Sequence, residues 1–287
     1  MQIASNKIKD VVRFFREQLQ GMYDASEIES FIGLCFEEYL GLKRVDIVIN
    51  GERTISESDL LKFNFAIKDL KNEKPIQQIL GKADFYGLKF YVNEHVLIPR
   101  PETEELVDLI IKENKDFNPA ILDIGTGSGC IPISLRKNIP NAMVSSIDVS
   151  EKALEVAKKN AEWNQVEINF ILDDILNPSK EIAPNSFDII VSNPPYIRIS
   201  EKEEMSNNVL KYEPHLALFV YNDDPLLFYK KIADVALKGL KPQGKIYFEI
   251  NENFGAECKQ MLENKGFKNV VLVKDLSNKN RILRGSF

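Results

Sequence analysis

The chain has 287 residues, 44% of them apolar and 28% charged, with a formal net charge of −6. That length exceeds one average domain, and the composition is that of a globular protein. No transmembrane helix is expected, since no apolar run approaches ~18 residues, and no secretory leader is expected, since Met1–Asp10 lacks an apolar core. Acids outnumber bases on both sides of residue 75, 13 to 11 before it and 30 to 26 after it. Neither part is basic, which argues against a protein whose main grip is on nucleic-acid phosphates. Cys35, Cys130 and Cys258 are too widely spaced for a disulfide framework and read as small buried hydrophobes, so a cytoplasmic location is expected. His95 and His215 show no ligand spacing, and no metal site is expected.

In chain order, Ile8, Val11, Val12, Phe15 and Leu19 have helical spacing with one apolar face. Ile28, Phe31, Ile32, Cys35, Phe36 and Tyr39 repeat it. Ser56 with Asp59 resembles a helix start, and Leu60, Leu61, Phe63, Ile67 and Leu70 follow. Residues 1–73 therefore read as a small helical domain. Residues 74–98 read as a linker, with a hairpin signal where Gly87 turns the chain between aromatic residues of Asp84–Phe90. Pro99-Arg100-Pro101 breaks regular structure, and Glu102–Ile111 reads as a helix. Arg100 and Glu102 could brace the structure, clamp a ligand loop or pair with each other.

From residue 119 onward strand and helix patterns alternate. Strands are expected near 120–124, 143–148, 168–172, 187–192 and 244–250, and helices near 129–138, 150–162 and 225–239. Alternation of this kind implies a mostly parallel sheet covered by helices, and residues 269–273 and 281–284 fit a terminal antiparallel pair. Ligands in such sheets bind beyond the carboxyl ends of the strands. Gly125, Asp148, Asp174 and Asn193 all fall at such ends.

Three motifs on successive strands carry the chemistry. After Ala120–Ile124 comes Gly125-Thr126-Gly127-Ser128-Gly129, opening a helix; glycines there allow a tight turn and close backbone approach to a ligand. Its spacing differs from the G-x-G-x-x-G of dinucleotide binders. The next strand ends in Asp148, about 20 residues on, where a carboxylate can accept ribose hydroxyls. A helix cap is the alternative role, and Ser150 competes for it. The strand 188–192 then stops at Asn193-Pro194-Pro195-Tyr196. Neither proline donates a backbone hydrogen bond, so the turn is stiff and its carbonyls stay free to accept. The Asn193 oxygen and a proline carbonyl could together grip the two hydrogens of a planar NH2 group, with Tyr196 packed on its face. That order of motifs fits an S-adenosylmethionine-dependent methyltransferase acting on an amide or amino nitrogen better than a dehydrogenase.

The chain resembles the HemK-type, or PrmC, family of protein-(glutamine-N5) methyltransferases. The resemblance rests on Pro75–Gly81, Phe85–Leu88, Val96–Val107 with its Ile-Pro-Arg-Pro-Glu-Thr-Glu stretch, the glycine loop, Asn193–Ile197 and Tyr212-Glu213-Pro214. It implies an α/β fold, a Rossmann-like S-adenosylmethionine-dependent methyltransferase domain over 99–287 with a mostly parallel seven-stranded sheet, and an N-terminal helical domain that recognises substrate. It implies a methyl donor, S-adenosylmethionine, that leaves as S-adenosylhomocysteine. The expected donor site is Gly125, Thr126, Gly127, Ser128, Gly129, Asp148, Asp174, Ile175 and Asn193, with Asp173 competing with Asp174 for the polar role beside adenine. Cys130 would pack under the donor, whereas Trp163 reads as packed in its helix. The implied substrate is the glutamine of a Gly-Gly-Gln loop in class-1 peptide chain release factors. Asn193, Pro194, Pro195 and Tyr196 would bind it, and Asn193, Pro194 and Tyr196 would act in catalysis. No direct nucleic-acid or membrane partner is expected, and the chain is expected to be a monomer.

The chain departs from the family's pattern at Phe219–Asp224, where glycines are usual, and at Asn251, where glycine is usual after Glu249-Ile250. Competing readings are a glutamine methyltransferase acting on a ribosomal protein, a nucleic-acid amino methyltransferase (adenine-N6 or guanine-N2), and a binding protein without catalysis.

Overall fold

The computed structural model describes residues 5–114, 116–179 and 181–287. The first four residues of the Met1–Asp10 segment read above lie outside them. The chain divides into two compact units, one running to Lys82 and also taking in Asn207–Tyr212, the other built from Ala83–Ser206 and Glu213–Phe287.

The first unit is helical: α1 (Ile8–Leu19), α2 (Ala25–Leu40), α3 (Arg44–Ile49), α4 (Glu57–Lys71) and α5 (Ile76–Leu80). The apolar stripes read for α1 and α2 point into one core. Phe63 of α4 sits at its centre, fully buried, with ring centroids 4.6 Å from Phe36, 5.2 Å from Tyr39 and 6.3 Å from Phe15. Ser56 caps α4 by accepting from the Asp59 N–H at 3.0 Å. Leu61 departs from the expected face, 55% exposed, because a helix buries only one stripe and Ala66 takes the inward position instead. α5 lies in the segment read as linker.

The second unit begins with the hairpin strands β1 (Lys82–Phe85) and β2 (Leu88–Tyr91). Tyr86 and Gly87 both have positive φ, 48° and 73°, the backbone that a two-residue turn between right-twisted strands requires. There follow α6 (Pro101–Asn114), β3 (Ala120–Ile124), α7 (Cys130–Asn138), β4 (Met143–Asp148), α8 (Glu151–Trp163), β5 (Asn169–Leu172), β6 (Phe187–Ser192) and β7 (Ile197–Arg198). After them come α9 (Asn207–Tyr212), which clusters with the helical unit, then β8 (Phe219–Val220), α10 (Leu227–Gly239), β9 (Leu240–Glu249), α11 (Gly255–Asn264), β10 (Lys268–Lys274) and β11 (Asn280–Ser286).

Seven strands form one sheet in the order β10-β11-β9-β6-β3-β4-β5, parallel from β9 to β5 and antiparallel at β11 and β10. Alternate residues of each strand face opposite sides. Ile121, Val144, Ile189, Val191 and Tyr247 pack with Leu106, Val107 and Ile110 of α6. Leu122, Ile124, Ile147, Ile190 and Phe248 pack with Tyr229, Ile232 and Ala236 of α10 and with Cys258 and Leu262 of α11. Both faces are covered, as parallel strands require. The chain runs β3, β4, β5 to one side and returns to the other at β6, so β3 and β6 flank the point where the order reverses. Among the described residues, no helix is long and apolar enough to cross a membrane.

Removing the Phe63 ring opens a cavity in the helical unit. Phe63→Ala is expected to lower stability by about 3–5 kcal/mol, read as a lower urea midpoint for the helical signal.

Candidate functional site

Register brings the motifs together. Ile124 pairs with Ile147 on one side and with Ser192 on the other. The residues that follow, Gly125, Asp148 and Asn193, therefore leave the sheet side by side. Asp148 in turn pairs with Leu172, which places Asp173 and Asp174 next. A cavity of about 160 Å³ opens over these strand ends. Gly125, Thr126, Gly127, Ser128, Asp148, Asp174, Ile175, Asn193, Pro194 and Pro195 all line it.

The three loop glycines have φ of 85°, 54° and 82°. Two of them meet different constraints. A Cβ at Gly127 would find nothing within 4 Å, so the loop is open there to a ligand. A Cβ at Gly129 would stand 2.9 Å from Ile133 Cδ1 and 3.2 Å from Ala157 Cβ, so that glycine seats the loop against α7 and α8. Asn160 of α8 ties the loop down, donating to the Ser128 carbonyl and to the Tyr91 carbonyl, both at 2.9 Å.

Asp148 accepts from the Gly127 N–H and from the Ser150 N–H, each at 2.8 Å. Ser150 caps α8, accepting from Ala153 N–H at 3.2 Å, so the cap is not the role of Asp148. Each Asp148 oxygen keeps a further lone pair. Beneath the loop, Asp123 is fully buried. Its Oδ2 accepts from Ser146 at 2.5 Å, while its Oδ1 has no partner among the described residues. Burial, with the Asp148 charge adding to it, pushes the Asp123 carboxyl up to about 7.

Asp173 and Asp174 both line the cavity, and both also hold their own loop. Asp173 accepts from Ser179 N–H at 2.8 Å and Asp174 from Leu176 N–H at 2.9 Å. Cys130 lines the cavity at the first turn of α7, and burial pushes its thiol up to about 12, so it stays a thiol at neutral pH. Trp163 closes α8 away from the cavity lining.

Arg100 lines the cavity but pairs with neither Glu102 nor the glycine loop. Its guanidinium donates to the buried Glu213 at 2.5 Å, and the other Glu213 oxygen accepts the Ile98 N–H at 3.1 Å. Glu213 has the more buried carboxylate, and a buried acid must be paired. The cavity therefore faces Asp148, Asp173 and Asp174 with a single guanidinium already engaged. Such a wall suits a cationic ligand and opposes a pyrophosphate.

Tyr196 is not among the residues that line the cavity. Its ring packs with the cluster of Tyr229 and Phe248, and its hydroxyl donates to Glu249 at 3.3 Å. A buried phenol needs an acceptor, and this one turns the side chain inward, away from the expected contact with a target group. Thr103 donates to the other Glu249 oxygen at 2.6 Å and accepts from Asn193 Nδ2 at 3.3 Å. The sequence reading gave no role to Thr103, Glu249 or Asn160. The available signal at Glu249 was a carboxylate inside the apolar run Ile246–Ile250.

A seven-stranded sheet ending in an antiparallel pair, with this glycine loop and an acidic strand end, defines a Rossmann-like methyltransferase. Residues 103–212 match the Methyltransferase small domain, and residues 10–81 match the PrmC N-terminal domain. A solved methyltransferase from Pyrococcus furiosus shares the fold, with a TM-score of 0.52 at 20% identity over 70% of this chain and 89% of that one. The release factor glutamine methyltransferase of Flavobacterium psychrophilum is 51% identical over 98% of this chain and 99% of its own. That of Bacteroides thetaiotaomicron is 44% identical over 95% and 98%. The chain belongs to the release factor glutamine methyltransferase family.

The raised Asp123 carboxyl binds protons more tightly in the folded than in the unfolded chain. Its stabilising contribution is present below the unfolded value near 3.8 and is lost as pH rises through about 7. Asp123→Asn does not titrate. Its stability relative to the parent is expected to rise by about 2 kcal/mol between pH 5 and pH 8, measured by urea unfolding at both pH values.

Proposed function

We propose that this enzyme transfers a methyl group from S-adenosylmethionine to the side-chain amide nitrogen of the glutamine in the Gly-Gly-Gln motif of class-1 peptide chain release factors. The observation that carries it is the pairing of the glycine loop with the Asn-Pro-Pro turn on adjacent strands over one cavity, in a chain 51% identical to a release factor glutamine methyltransferase. Release factors act on ribosomes, so the proposed place of action is the cytoplasm.

The cavity fits the donor. Its carboxylates suit a sulfonium cation, Gly127 leaves room for close backbone approach, and Ile147 and Ile175 offer an apolar wall. Gly125, Thr126, Gly127, Ser128 and Gly129 would form the cradle. Asp148 would accept ribose hydroxyls through its remaining lone pairs, and Asp174 and Ile175 would meet the adenine. When bound, S-adenosylmethionine supplies an electrophilic methyl group and leaves as S-adenosylhomocysteine.

A glutamine amide nitrogen is a weak nucleophile because its lone pair is delocalised into the carbonyl. Orientation and electrostatics must therefore do most of the work. Asn193 would accept one target N–H through Oδ1, and the Pro194 carbonyl would accept the other. Two acceptors in a stiff turn hold the nitrogen in one place, and they draw electron density toward it by polarising both N–H bonds. The nitrogen becomes acidic only after it is methylated, so its proton can leave without a dedicated base. Tyr196, anchored on Glu249, would hold the turn from behind.

Mass spectrometry of a class-1 release factor incubated with the enzyme and S-adenosylmethionine is expected to show one methyl on the Gly-Gly-Gln glutamine. Asn193→Ala should lower kcat by about 100-fold or more, with donor affinity within about threefold by calorimetry. An unmodified release factor with donor binding intact would overturn the substrate assignment in favour of a ribosomal protein. An unimpaired Asn193→Ala would overturn the assigned role.

A further inference from the structure

We propose that Glu249 and Thr103 form a one-way hydrogen-bond relay that sets which end of the Asn193 amide faces the target, so that both are positioning residues for the transfer. This rests on the role proposed for Asn193. Glu249 stands at the carboxyl end of β9 and is 1% exposed; Thr103, on α6, is 3% exposed. Each carboxylate oxygen faces a hydroxyl, Thr103 at 2.6 Å and Tyr196 at 3.3 Å. Burial pushes the Glu249 carboxyl up; the Thr103 bond, the Arg281 charge and the Tyr196 bond pull it back, while Glu102 opposes them. Two hydroxyl donors are what an ionised carboxylate, which only accepts, calls for.

The direction follows from that. A hydroxyl has one proton. Thr103 gives it to Glu249 and is left with lone pairs alone toward Asn193. Only the Nδ2 end of the Asn193 amide can meet those lone pairs, at 3.3 Å. Oδ1 is then the end left for a target N–H. A flipped amide would set two oxygen acceptors face to face at Thr103 and would point NH2 at NH2 in the cavity, both repulsive. One buried negative charge thus selects, through two side chains, the acceptor that the reaction uses. The Nδ2 of Asn251 donates to the Tyr196 carbonyl at 3.3 Å and steadies the same turn from the other end.

Thr103→Val keeps the shape and removes the hydroxyl, whereas Thr103→Ser keeps the hydroxyl. In the full-length protein without substrate, NMR should show a slowly exchanging Asn193 Nδ2 proton in the parent and in Thr103→Ser. It should exchange at least about fivefold faster in Thr103→Val, because a hydrogen bond has been removed. In turnover with release factor, Thr103→Val should lose about tenfold or more in kcat, with KM and donor affinity little changed, and Thr103→Ser should recover most of it. Glu249→Gln, which presents an NH2 to one of the two hydroxyls, should lose kcat in the same way and serves if Thr103→Val fails to fold. In an Asn193→Ala background, Thr103→Val should cost nothing further, because residues acting through one another are not additive. Parental exchange and kcat in Thr103→Val would overturn the relay, as would full additivity with Asn193→Ala. The exchange measurement needs no methyl acceptor, so it stands even if the parent fails to methylate release factor.

Discussion

Everything at this site depends on the parallel pairing of β4, β3 and β6. Parallel neighbours deliver their carboxyl ends at the same edge of the sheet, and the register here sets Ile147, Ile124 and Ser192 in one row. The next residues are, in the same order, Asp148, Gly125 and Asn193. A Cβ at Gly125 would lie 3.8 Å from the Asn193 carbonyl, so the glycine loop and the Asn-Pro-Pro turn run close beside each other. A slip of one residue in β6 would turn Asn193 toward the opposite face and separate it from the glycine loop.

The strand ends are then locked by polar groups that the core would otherwise exclude. Ser192 donates to the Ile124 carbonyl at 2.6 Å, binding β6 to β3 by side chain as well as backbone. Gly125 N–H donates to the Ile147 carbonyl at 2.8 Å, and Asp148 holds Gly127. Buried polar groups of this kind specify one arrangement when they are satisfied. Among the described residues, one Asp123 oxygen under the loop and the Ser128 hydroxyl within it lack a partner. Asp123 places a second carboxylate beneath Asp148 and deepens the negative field at the cavity. Burial is the main cost of keeping Asp123 charged and the Asp148 charge adds to it, which is why its carboxyl moves toward neutral pH.

Much of this was legible in the residues because the strongest signals were local. Glycine, proline and alternating apolar residues mark strands, turns and the order of motifs, and they placed the glycine loop, Asp148 and Asn193 at strand ends. The helix α11 was overlooked although Cys258, Met261 and Leu262 carry its spacing. The partnerships were not legible. Arg100 lies two residues from Glu102 in sequence, yet it bonds to Glu213, 113 residues away, because only the fold decides which carboxylate is buried beside it. Thr103 and Glu249 are 146 residues apart, and neither belongs to a pattern of spacing. Tyr196 could be located on its turn, but not the direction of its hydroxyl, which depends on an acceptor from a strand at the far end of the chain.

The two departures from the family pattern show what the local geometry requires. At Asn251 the backbone has φ of −65°, which any residue can adopt, so glycine is not needed for conformation. The asparagine side chain instead accepts from the Asn253 N–H at 2.9 Å and donates to the Tyr196 carbonyl, adding a brace that glycine lacks. At residues 219–224, Phe219 and Val220 pair with Ile197 and Arg198, and Asn222 accepts from the Ser200 N–H at 2.9 Å. Asn251 thus contacts the last residue of Asn-Pro-Pro-Tyr, and residues 219–222 contact the segment that follows it. The turn is thus held at Asn193 by Thr103, at the Tyr196 hydroxyl by Glu249, at the Tyr196 carbonyl by Asn251 and at Ile197 by β8. A turn proposed to offer two acceptors to a weak nucleophile gains from rigidity at every one of those points, and the Asn251 side chain supplies one of them.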